Sequence, residues 1–98
     1  MEIFDKSTDK LFEAILTLKN KSDCEKFFLD ACTVKEIREI AQRYEVAEML
    51  YGGAVYNDVV NKTGASTATI SRVSKCLNYG DGGYKTVLDR INAKNGKN

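Results

Sequence analysis

The chain has 98 residues, 43% of them hydrophobic and 30% charged, with a net charge of +1. That bounds it to one domain with one modest core, too apolar for disorder and without a run able to span a membrane. It contains no histidine, and its three cysteines (Cys24, Cys32 and Cys76) form no C-x-x-C pair. A zinc site and histidine-based acid–base or serine chemistry are therefore excluded.

The opening residues, MEIFDKSTDK, mix acids and bases around no apolar stretch, so no signal peptide is expected there. Odd, unpatterned cysteines fit reduced thiols in a cytoplasmic protein. The near-neutral total hides a split. Residues 1–53 hold eight Lys or Arg against eleven Asp or Glu, whereas residues 54–98 hold seven against three. A basic surplus concentrated in one half is a weak form of a nucleic-acid footprint.

No proline occurs and strand-like alternation is absent, so the apolar spacing predicts six helices and no sheet. Leu11, Phe12, Ile15, Leu16 and Leu18 make the first apolar face. SDCE, with Ser22 and Glu25, reads as a capping box opening a second helix that carries Phe27, Phe28 and Ala31. TVKE, with Thr33 and Glu36, reads as another box. It opens the longest helix, striped by Ile37, Ile40, Ala41, Tyr44, Ala47 and Tyr51 and stopped by Gly52-Gly53. A short helix over about 56–63 follows, then one from Ser66, a good N-cap, to about Leu77. NYGDGG is a loop. The last helix, about 84–94, holds Tyr84, Val87, Leu88 and Ile91, and the polar tail NAKNGKN is expected to fray. These apolar stripes exceed what one small monomer can cover, which favours a homodimer built from residues 8–53 and 84–94.

Residues 56–77 carry the functional signal. With Tyr56 as the first position of a helix-turn-helix, Val59, Ile70 and Val73 fall on the packing positions and Gly64 on the turn, where a positive φ is needed. The stretch TGASTATISRV has five hydroxyl side chains, one arginine and no acid. Small and hydroxyl-bearing residues suit the floor of a major groove, and the lack of acids suits a polyanion. The expected contacts to double-stranded DNA are Lys62, Ser66, Thr67, Ala68, Thr69, Ser71, Arg72 and Lys75. The same hairpin could also serve protein–protein contact or a plain helical scaffold. No acid–base pair or nucleophile nominates an enzyme, and no cofactor or metal is expected.

The run TGASTATISR, with the long helix opening at TVKE and the final helix, resembles the Trp repressor family, and most of all its YerC/YecD branch. The resemblance implies an all-α, six-helix fold, an intertwined homodimer, and a sequence-specific transcriptional regulator, with repression as the expected direction. It also implies an effector pocket, whose positions match Thr33, Arg43 and Arg72. Two positions depart from the pattern: Val73 stands where the tryptophan repressor has glycine, and Cys76 where it has serine. Asp58 replaces a basic phosphate-contacting residue. These departures argue against tryptophan as the effector and leave any effector's identity open.

Overall fold

The computed structural model describes residues 3–96, in six helices: α1 (Lys6–Ile15), α2 (Lys21–Ala31), α3 (Val34–Tyr51), α4 (Tyr56–Thr63), α5 (Thr67–Tyr79) and α6 (Gly83–Lys94). No strand occurs among the described residues. The all-α expectation stands, and none of these helices is long and apolar enough to cross a membrane.

The chain divides into two compact units, Met1–Ile37 and Arg38–Asn98. In the first, α1 is opened by a capping box in which Asp5 accepts from the Thr8 amide and the Thr8 hydroxyl accepts from the Asp5 amide. Bonds donated to it by the Thr8 amide, and then the Thr8 hydroxyl, lower the pKa of the Asp5 carboxyl from its ordinary value. The box expected at Ser22 and Glu25 does not form. Asn20 is the N-cap of α2, accepting from the Asp23 amide at 2.8 Å. Asp23 in turn accepts from the Lys19 amide. Asn20 is as good a cap as serine and lies one residue before the helix, so the helix starts earlier than SDCE implies. The box at TVKE forms as expected: Thr33 accepts from the Glu36 amide at 3.1 Å and Glu36 from the Thr33 amide at 2.8 Å. No described residue of this unit is buried.

The second unit has one core. Val46 and Ala47 of α3, Val59 of α4, Ala65 of the turn, Ile70, Val73 and Leu77 of α5 and Leu88 of α6 are buried together. The stripe read on α3 is only partly the buried one. Val46, outside that stripe, is fully buried, while Ile40 is 47% exposed and Ala41 is exposed. Apolar residues occupy more than one face of α3, and a single helical period cannot say which face meets α4 and α5. Burial, non-directional by nature, is joined by two side-chain bonds. The Tyr51 hydroxyl donates to the Asp89 carboxylate, tying the end of α3 to α6 and pushing the phenol's pKa up. Gln42 of α3 donates to the Thr63 carbonyl.

Gly52 and Gly53 follow the last residue of α3, as expected. Helix α5 continues through Tyr79, two residues past the expected end, so the loop shrinks to Gly80–Gly82. Helix α6 takes in the first part of the tail, up to Lys94; residues 97 and 98 lie outside the described residues.

Candidate nucleic-acid interface

Helices α4 and α5 are joined by Gly64, Ala65 and Ser66. Gly64 ends α4 in the left-handed region, φ 70°, and its amide donates to the Val60 carbonyl at 2.9 Å. The Thr63 hydroxyl donates to the Val59 carbonyl at 2.7 Å and accepts from the Ala65 amide at 3.1 Å. Ala65 is 4% exposed, which draws the turn onto the core. Ser66 then caps α5. Its hydroxyl accepts from the Thr69 amide at 3.1 Å and donates to the Thr69 hydroxyl at 3.0 Å.

The helix-turn-helix spacing read from the sequence matches this geometry. Val59, Ile70 and Val73 are at most 1% exposed and face the core. Thr67, Ala68, Ser71, Arg72 and Lys75 of α5 are exposed, as are Ser66 and Lys62. Thr69 is half-buried, held by the Ser66 cap. The first bond inside α5 runs from the Ile70 amide to the Ser66 carbonyl. The amides of Thr67 and Ala68 therefore precede the helical ladder and point from its N-terminus, where an anion is favoured. Helix α5 contains no acidic residue. Asp58 lies in the first turn of α4, where a carboxylate complements the helix dipole.

The residues assigned to an effector pocket fall in both units. Thr33 lies in the first unit, its hydroxyl engaged in capping α3. In the second unit Arg43 is half-buried, Arg72 exposed and Val73 part of the core. An open groove of about 490 Å³ runs between α3, α5 and α6, lined by Ile40, Tyr44, Cys76, Gly80, Tyr84 and Val87 among others. Cys76 is on its wall. Burial, then Glu48, pushes the Tyr44 phenol's pKa up in this region.

Sequence reasoning missed Gln42 and Thr63. The Gln42 side chain reaches the Thr63 carbonyl at 3.1 Å across 21 positions of chain. A polar, half-buried glutamine on an amphipathic helix gives no sequence signal of so distant a partner.

The family model of the Trp repressor protein matches residues 6–92. The chain is 54% identical over 86 residues to YerC of Bacillus subtilis (strain 168), a protein described as uncharacterized. That match covers 88% of this chain and 83% of YerC. Among solved structures, a TrpR-like protein from Eubacterium eligens superimposes with a TM-score of 0.86 at 49% identity, covering 89% of this chain and 90% of that one. A Trp repressor candidate from Staphylococcus aureus does so with a TM-score of 0.88 at 47% identity, covering 92% and 90%. The family is one of DNA-binding regulators rather than enzymes, and by fold, helix-turn-helix geometry and sequence the chain belongs to the Trp repressor family.

Proposed function

We propose that this protein is a sequence-specific, DNA-binding transcriptional regulator that acts as a homodimer and represses from a palindromic operator. The observation that carries the reading is the division of α5. Its Ile70, Val73 and Leu77 are buried, while its exposed side is built from Thr67, Ala68, Ser71, Arg72 and Lys75 with no acid. Such a helix enters a major groove without repelling phosphates, and its first turn meets the base edges. Thr67 and Thr69 supply hydroxyls to bases; Lys62, Arg72 and Lys75 supply positive charge to the backbone. In a dimer the two α5 helices stand about 34 Å apart, one turn of DNA.

Tryptophan is not required in this reading. Val73 is 1% exposed in the core shared by α3, α4, α5 and α6, so the reader is held in place by the protein's own side chain. A ligand can raise DNA affinity only through a preference for the binding-competent arrangement, and here packing already supplies that arrangement. The test is selection of duplexes from a random pool, followed by titration across salt, with and without L-tryptophan. Saturable binding to a selected palindrome, with log affinity falling linearly with log salt and unmoved by tryptophan, is the expected result. No salt-dependent binding to any duplex would overturn the DNA reading and leave the hairpin to protein contact or a plain helical scaffold. Tryptophan binding below about 10 μM that raises DNA affinity in step would overturn the ligand-free reading, because linked binding is reciprocal.

A further inference from the structure

The last four carbonyls of a helix have no partner within it. In α4 the final one belongs to Thr63, directly before Gly64, and Gln42 of α3 supplies its donor. The other bonds of the turn are local. Thr63 bonds the Val59 carbonyl and the Ala65 amide, and Gly64 bonds the Val60 carbonyl. They set the shape of the turn but not its place on α3. Apolar contact of Val59, Ile70 and Val73 with Val46 and Ala47 holds the elements together, yet it is non-directional and tolerates sliding. A hydrogen bond has a narrow range of distance and angle. Among the described residues, Gln42 makes the one side-chain hydrogen bond that joins the α4–turn–α5 segment to α3. The turn leads straight into Ser66, Thr67 and Ala68, so its displacement moves the first turn of α5 with it.

We propose that Gln42 is a positioning residue for DNA recognition: its amide pins the turn at one register on α3 and so sets the angle at which α5 presents its first turn. This rests on the assignment of α4 and α5 as the DNA reader.

Two variants test it. Gln42→Met keeps the length and removes the donor; Gln42→Glu keeps the shape and sets an acceptor against the Thr63 carbonyl. Should the methionine variant not fold, the glutamate variant carries both readouts. The first readout needs no DNA. Amide hydrogen exchange at Gly64 and Ala65 is expected to quicken by about tenfold, the scale of one lost hydrogen bond. The second is the ratio of Kd for an unselected duplex to Kd for a duplex selected by the wild-type protein. That ratio is expected to fall by about tenfold: Gln42→Met leaves unselected DNA bound as before, and the charge added by Gln42→Glu weakens both duplexes alike and cancels from the ratio. Unchanged exchange at Gly64 and Ala65 overturns the proposal. So does a lowered melting temperature with an unchanged ratio, which would make Gln42 a stability residue alone. A wild-type protein that prefers no duplex sinks the DNA reading and the positioning role together. One that does, with variants that keep its ratio, sinks Gln42 only.

Discussion

A Cβ at Gly80 would collide with the Cys76 carbonyl oxygen, whereas one at Gly64 would meet nothing within 4 Å. The two glycines are needed for different reasons. Gly64 has φ 70°, a conformation that costs an L-residue roughly 1–2 kcal/mol. Gly80 has an ordinary φ of −86° but no room beside backbone, and forcing atoms into such a place typically costs about 1–3 kcal/mol. Both Gly64→Ala and Gly80→Ala are therefore expected to lower stability in urea unfolding. An asparagine, which tolerates the left-handed region, should recover much of the loss at Gly64 and none at Gly80. The exposed residues of the proposed reader sort by a different measurement. Thr67→Ala is expected to cost specific DNA binding about 1–3 kcal/mol if its hydroxyl meets a base. Lys62→Ala or Lys75→Ala should weaken all DNA alike and lower the salt slope by about one. A Thr67→Ala variant with untouched operator affinity would remove this residue from the reading surface. Thr69→Ala is the less clean probe, because it also takes away the partner of the Ser66 hydroxyl.

At the scale of the helix, two N-termini are fastened by carboxylates that titrate in acid. Backbone and side-chain bonds from Thr8 depress the pKa of Asp5, and those from Thr33 depress the pKa of Glu36. A carboxyl depressed in the folded state contributes stability above its unfolded pKa. That contribution is lost as pH falls through the folded value. Both caps should therefore hold at neutral pH and fail only as pH falls below the ordinary carboxylate range. Glu36→Gln is expected to flatten the fall in unfolding free energy as pH drops below the ordinary glutamate range, by removing one such group. Equal slopes for the variant and the wild type would refute the assignment. Thr33→Ala, which removes the other half of the box, should cost about 0.5–2 kcal/mol at neutral pH.

For the molecule as a whole, the open question is what covers the apolar residues that a single chain leaves in water. Helices α1 and α2 have 10 and 11 residues, and none is buried. Isolated helices shorter than about 12–15 residues are marginal in water, so these require burial to persist. Leu16 is 83% exposed and Leu29 60% exposed, beside Leu11 and Phe12 of the same unit. The proposed homodimer supplies the missing burial. Sedimentation is expected to find a dimer at micromolar concentration, and a folded monomer there would overturn it. Leu16→Lys and Leu29→Lys discriminate further. On a bare surface such changes stay within about 0.5 kcal/mol, and a lysine near a helix C-terminus is favourable. In a dimer that buries these positions they should lower stability well beyond that, and make it depend on protein concentration.

The elements were legible in the sequence because they rest on local rules. Apolar spacing, glycine stops, the TVKE box and the Ser66 cap each act within a few residues, and they place α3, α4 and the start of α5. The helix-turn-helix was legible for the same reason. Its spacing of Val59, Gly64, Ile70 and Val73 is a local pattern, and the acid-free hydroxyl run marks the outward face. What failed locally was a competition between two good signals: Asn20 and Ser22 both suit an N-cap, and the sequence does not rank them. The tertiary structure alone decided three things. It chose Val46 over Ile40 for the core, since helical period shows an apolar face but not its neighbour. It placed Val73 in the core, Arg43 half-buried and Cys76 on a groove wall, although Val73 and Cys76 share α5. And it joined Gln42 to Thr63, because a hydrogen bond between positions far apart in the chain exists only once packing has brought α3 against the turn.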